Sequence, residues 1–202
     1  QVTIAGITHK VPEPFLVMAT QNPIETEGTY PLPEAQVDRF MMKILVDYPT
    51  DEEEFVIVQR VTGPAVTVNA VATTDQLAAL QRACRSVYVD PSLIQFAVRL
   101  VSATRTPEKH DLKELTRFIT YGASPRASIN LTEGSRALAM LRGRSYVLPE
   151  DMADLVPDVL RHRLVLSYEA LSEGLSADAI IAKITAKIPT PAKPLEHEKL
   201  AA

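Results

Sequence analysis

At 202 residues the chain can hold one large domain or two small ones, and a formal net charge of −4 argues against a general nucleic-acid face. Hydrophobic residues make up 46% but aromatics only 5%, with no Trp, which favours helices over a β-sandwich. One cysteine, Cys84, excludes an internal disulfide and fits a reducing cytosol, and no apolar run approaches the ~20 residues that span a bilayer. The composition is that of a soluble cytoplasmic chain. Residue 1 is Gln rather than Met, which reads as a processed end or an excerpt boundary.

Gln1–Ile4 and Ile7–Val11 alternate in strand fashion around Ala5-Gly6, the pattern of a tight hairpin. Phe15–Thr20 is a near-continuous apolar run, as in a parallel strand covered on both faces, and Phe40–Val46 is a second. Between them Pro33 can open a short helix that ends at Asp38-Arg39. Thr50 and Glu53 have capping-box spacing and start a helix that stops at Gly63-Pro64. The next helix begins near Thr73–Asp75, with Leu77, Leu80 and Cys84 on one face; Cys84 reads as a small core hydrophobe. Asp90-Pro91 pairs an N-cap with a proline at the first helical position, and Ile94, Ala97, Val98 and Val101 follow at helical spacing. Lys109–Tyr121 fits either loop or a short helix.

Ser124-Pro125 starts a helix ending at Gly143, and Pro149–Asp151 starts one striped by Met152, Leu155, Val156, Val159 and Leu160, with a kink expected at Pro157. A last helix covers Ser176 to Lys187, and the tail from Pro191 is polar and expected to be disordered. The sum is an α+β chain, mainly α. A hairpin and two strands of a parallel α/β core over 1–48 precede a helical domain over 49–190, and 191–202 form the tail.

Three residues could carry chemistry. Asn22 follows the first apolar strand, where ligands of open α/β sheets collect, and a neutral amide there can bind a phosphate oxygen or an attacking water. Taken alone, Asn22-Pro23 reads first as a turn, and only the surrounding pattern reverses that. Arg39 carries a permanent, bidentate charge suited to a transferring phosphoryl group; its bland reading is a surface arginine paired with Asp38 or Glu34. Arg126 sits near the start of a helix, where free N–H groups attract phosphate and the dipole disfavours a cation.

The segments ATQNPIETEGTYPLPEAQVDRF (19–40), GASPRAS (122–128), ALAMLRGRSYVLPED (137–151) and VLRHRLVLSYEALSEGLSAD (159–178) resemble the MoxR branch of the AAA+ ATPases. The resemblance runs from residue 1 to about Pro191. It implies the end of the AAA+ core followed by the helical lid, with Asn22 as sensor 1, Arg39 as arginine finger and Arg126 as sensor 2. It further implies ATP and Mg as ligands of the whole protein, a ring, usually of six subunits, and chaperone-like work on client proteins. Some relatives work beside von Willebrand A domain proteins. Asn22 and Arg126 would bind the nucleotide, Arg126 in either its own or a neighbour's site. No G-x-x-x-x-G-K-[ST] occurs and Gly is never followed by Lys, so this stretch alone is expected neither to bind ATP nor to hydrolyse it.

A magnesium-chelatase-like ATPase subunit would share this site chemistry, and a non-catalytic helical interaction module is the rival of another class. Ile44–Asp47 imitates a Walker B strand but continues into Tyr48-Pro49, so it reads as plain strand. The four histidines lack metal-ligand spacing, and no metal site is expected. Arg142, Arg144 and Arg161-His162-Arg163 read as a solvated basic face.

Overall fold

The computed structural model describes residues 1–21 and 32–191. In chain order the regular elements are β1 (Val2–Ile4), β2 (Ile7–His9), α1 (Glu34–Val37), α2 (Asp51–Thr62), α3 (Thr74–Arg85) and α4 (Pro91–Arg105). There follow β3 (Ile119–Tyr121), α5 (Pro125–Leu141), α6 (Pro149–Leu160), β4 (Val165–Leu166), α7 (Tyr168–Ser172) and α8 (Ala177–Lys187), with 3₁₀ turns at Pro107–His110 and Lys113–Leu115. The chain divides into two compact units that interleave in sequence: Gln1–Tyr30 with Leu45–Ala83, and Pro31–Ile44 with Cys84–Ala202.

In the first unit β1 and β2 form the expected antiparallel hairpin, with Val2 opposite His9 and Ile4 opposite Ile7. Its turn places Ala5 at φ 49° and Gly6 at φ 81°, the left-handed pair that a two-residue hairpin requires. α2 starts from a complete capping box. The Thr50 N–H donates to Glu53 Oε2 at 2.9 Å and the Glu53 N–H to Thr50 Oγ1 at 3.3 Å. Thr73 and Gln76 repeat the device at α3. Most apolar residues of these helices stay exposed, Leu77 and Leu80 of α3 among them, while Cys84 is half-buried.

The apolar run at 15–20, expected to be a strand, forms no ladder, and Phe15 to Met18 are exposed. A parallel strand takes both its hydrogen bonds and its burial from neighbours, and none pairs with it among the described residues. In the run at 40–46, residues 40–43 bond their backbone mostly to side chains of the second unit instead, as described below.

The core lies in the second unit, where α5 packs on both α4 and α6, and α8 lies against α4 and α6. α4 buries Leu93, Phe96, Ala97, Leu100, Val101 and Thr104, a row at i, i+3, i+4 spacing. The expected row shared only Ala97 and Val101 with it; Ile94 and Val98 face outward. Both rows obey helical periodicity, and only packing chooses between them. The stripe of α6 is as expected, with Met152, Val156, Val159 and Leu160 fully buried. Ser124 caps α5 and Ser176 caps α8, each through its hydroxyl to a first-turn N–H. β3 pairs antiparallel with β4, Ile119 opposite Leu166, which resolves the ambiguous stretch before α5.

Candidate functional site

Asp38, the residue after α1, is where the second unit gathers its charges. Its Oδ1 accepts from Ser124 Oγ at 2.9 Å and from Arg163 Nε at 3.0 Å, and its Oδ2 from Arg126 at 2.9 Å. Ser124 is positioned because it is the N-cap of α5, and its hydroxyl oxygen also receives the Arg126 N–H at 3.2 Å. Arg126 follows Pro125 as the second residue of α5. Burial pushes the Asp38 carboxyl up, but hydrogen bonds from Arg126 and Ser124 and the charge of Arg163 outweigh it, so it lies below the usual carboxylate value.

Arg163 lies three residues beyond α6 with a side chain that is 0% exposed. Its five N–H donors all find acceptors. Nε meets Asp38 Oδ1, one terminal nitrogen meets the carbonyls of Asp38 and Phe40, and the other meets those of Met41 and Val159. A buried guanidinium is tolerable only when paired and fully bonded, and this one is both. The two residues before it grip the same segment. His162 Nε2 donates to Phe40 O at 3.2 Å, and Arg161 donates to Lys43 O at 2.7 Å while also pairing with Asp158 and Asp178. The Lys43 N–H in turn donates to Asp158 O at 2.9 Å. Gly134 on α5 lets the segment lie close, because a Cβ there would meet Leu155 Cδ1 at 3.0 Å and Met42 Cε at 3.3 Å.

The solvated basic face expected of 161–163 is therefore corrected: Arg163 is buried and Arg161 nearly so, both bound to the 38–43 segment. Arg142 and Arg144 are likewise no loose surface pair. They converge on the fully buried Asp151, whose Oδ2 also accepts the Leu148 N–H at 2.8 Å.

Of the three candidates from the sequence, Asn22 lies outside the described residues. Arg39 is exposed, and its guanidinium has no partner among the described residues. Its neighbour Asp38, the ion-pair partner expected for a plain surface arginine, is taken by Arg126 and Arg163 instead. Arg126 has a side chain 52% exposed and is tied to Asp38. The structure thus ties Arg126 to the carboxylate of Asp38, the residue next to Arg39. Arg163, Arg161 and Ser124 belong to this cluster too. The only sequence signal for them was two arginines flanking a histidine just after an apolar stripe. Among the described residues there is no cluster of His, Cys, Asp or Glu able to hold a metal ion, and no helix is long and apolar enough to cross a membrane.

His162 gives the cluster a pH dependence. Burial and then the charge of Arg163 push its imidazole below the usual 6.5, against weaker support from the Phe40 carbonyl and Asp38. Its Nδ1 is buried without a partner. The folded chain therefore prefers neutral His162, and the unfolded chain takes up the proton first as pH falls. The stability this supplies is complete above about pH 6.5 and is lost progressively below it. Thermal melting between pH 7.5 and 5 should show this loss, and His162→Gln, which can still donate to Phe40 O, should flatten it. An unchanged slope in that variant would assign the loss to other groups.

With this geometry in view, residues 1–42 match the ATPase family associated with various cellular activities (AAA), and residues 112–184 match the AAA lid domain. The chain is 45% identical over 190 residues to Chaperone MoxR1 of Mycobacterium tuberculosis, covering 94% of the chain and 50% of that protein. It is 34% identical to Protein MoxR of Paracoccus denitrificans, covering 87% of the chain and 56% of that protein. A crystal structure of a Cytophaga hutchinsonii protein ascribed to the ATPases superposes with a TM-score of 0.89 at 42% identity, over 95% of this chain and 58% of that one. The chain spans about half the length of the curated relatives it matches.

Proposed function

We propose a function from one premise: the chain belongs to the MoxR-type AAA+ ATPases. The full-length protein is an ATP hydrolase working as a ring, most simply a hexamer, in the cytoplasm. As the name of its Mycobacterium relative suggests, it spends ATP on chaperone-like maturation of other proteins, von Willebrand A domain proteins among the candidates. This chain supplies the sensors, the arginine finger and the lid, with 49–190 as the lid in sequence terms and 38–43 docked upon it. By itself it is inactive, since it carries no phosphate-cradling loop.

The observation that carries this reading is the state of Arg39. It is an exposed cation without a described partner, beside a carboxylate already engaged by Ser124, Arg126 and Arg163. An arginine held out in this way is available to a phosphoryl group on a neighbouring subunit. Arg126 is a second exposed cation, though one paired with Asp38. Its side chain is 52% exposed, so its guanidinium can reach a phosphate while Asp38 keeps its bonds to Ser124 and Arg163. Because Arg126 is tied to Asp38, the residue beside Arg39, we assign both cations to the same nucleotide, the neighbour's. Mg arrives with ATP and neutralises charge between the phosphates; the residues on this chain contribute cations to that site. Asn22 is the group that orients the attacking water.

Arg126→Ala in the full-length protein tests the reading. ATP affinity should fall roughly 10-fold or more and turnover should fall with it, because a cation on the β/γ-phosphates contacts ground and transition states alike. Direct nucleotide binding and steady-state hydrolysis measure the two. Wild-type affinity and rate in that variant would remove Arg126 from the nucleotide site.

A further inference from the structure

We infer that Arg163 is a positioning residue for the arginine finger, acting through the backbone on either side of Arg39 so that the finger moves with the lid. The inference rests on the reading of Arg39 as the finger. Three of the acceptors of Arg163 are main-chain carbonyls, those of Asp38, Phe40 and Met41, and a fourth is the Asp38 carboxylate. Residue 39 is thus bracketed, with the peptide that leads into it and the 40–41 and 41–42 peptides beyond it all held by one guanidinium, while its own side chain is left out in solvent.

The fifth acceptor, Val159 O, belongs to α6. One guanidinium therefore ties the finger's backbone to a helix of the lid core. Arg161 to Lys43 O, His162 to Phe40 O and Asn130 of α5 to Met41 O at 3.4 Å continue the same attachment. All of these groups lie in one compact unit. A lysine could keep the charge opposite Asp38, but its compact ammonium cannot span carbonyls on both sides of a residue as the planar fork does. Orientation is what the fork adds, and a finger misplaced by about 1 Å can cost on the order of 10²-fold in rate.

The test is Arg163→Lys in the full-length protein, alone and combined with Arg39→Ala. Alone, kcat should fall by about 10²-fold while directly measured ATP affinity stays within about threefold. In the Arg39→Ala background the same change should cost no more than about twofold, because a residue that acts through Arg39 has nothing left to position. Arg163→Gln, which removes the charge and most of the donors without touching Arg126, should repeat this non-additivity.

Multiplicative losses in the double variants would overturn the inference, and so would a full-rate Arg163→Lys. Loss of ATP affinity in both Arg163→Lys and Arg163→Gln would overturn it as well, because a residue that acts only through the finger leaves nucleotide binding intact. A full-rate Arg39→Ala would instead remove the finger reading, and this inference with it.

Discussion

Arg39→Ala is expected to lower ATP turnover of the full-length protein about 10³–10⁵-fold while leaving ATP affinity nearly intact. The size follows from what a finger does. Charge spreads over the equatorial oxygens of the transferring phosphoryl group, and a guanidinium aimed there stabilises the transition state far more than the bound nucleotide. Nothing in the described structure opposes this role. Arg39 is exposed, and losing it breaks no described side-chain bond, so the variant should melt like the wild type. A fall in turnover then cannot be blamed on unfolding.

Subunit mixing makes the assignment sharper. In a ring each nucleotide site would take its finger from one subunit and its phosphate loop from another. Arg39→Ala subunits mixed with subunits disabled in their own nucleotide site should therefore recover some hydrolysis. Asn22→Ala should not be rescued in this way, since it acts within its own site. If Arg39→Ala lost ATP affinity and stayed inactive in every mixture, Arg39 would be a structural arginine.

The second large effect is on stability. Asp151→Ala should destabilise the chain by roughly 3 kcal/mol, a shift in melting temperature on the order of 10 °C. Asp151 is fully buried at the start of α6, where it accepts from Arg142, Arg144 and the Leu148 N–H. Burial alone would raise its carboxyl; Arg144, the Leu148 amide and Arg142 outweigh that and hold it below the usual 3.8. Deleting the carboxylate leaves the largely buried Arg144 without an anion and a helix-start amide without an acceptor. Arg142 suffers less, being more exposed and still bonded to Asp154.

The sign with pH follows from the lowered carboxyl. The contribution is present above about pH 3.8 and disappears as pH falls further, so the acid limb of the variant should be shallower than that of the wild type. Melting curves across pH would measure both effects. A loss under about 1 kcal/mol at neutral pH would mean that the arginines find water or other partners.

What the sequence made legible was mostly what is local. Thr50 with Glu53, Asp90 with Ser92, Ser124 with Arg126 and Ser176 with Ala179 each close a bond within a few residues, so spacing alone placed the starts of four helices. The stripe of α6 was legible for the same reason. α4 was not, because two rows on it are equally apolar and its partners decide which faces inward. β3 and β4, at three and two residues, are too short to show any period. The runs at 15–20 and 40–46 have strand composition, but composition cannot provide a neighbouring strand.

The site divides along the same line. Arg39 and Arg126 were proposed through a family pattern, and the residues that hold their surroundings were not legible. Arg163 reaches Asp38, Phe40 and Met41 across 122 to 125 positions, and no short-range rule separates a buried, five-bonded arginine from a solvated one. The hint was available only in combination, as an acidic residue in one motif and a basic triplet in another.

The clamp on 38–43 consists largely of side chains from elsewhere holding carbonyl oxygens, and every amino acid has the same carbonyl. It should therefore be blind to most of what it holds. In a saturation library scored by ATP-dependent function, Asp38, Arg39 and Arg163 should accept almost nothing. Lys43 should accept nearly any residue except proline, which lacks the N–H that Asp158 receives. Met42, which lies against Gly134, should accept only apolar replacements of similar bulk. Relatives could then drift freely along this segment while the arginine they present keeps its aim.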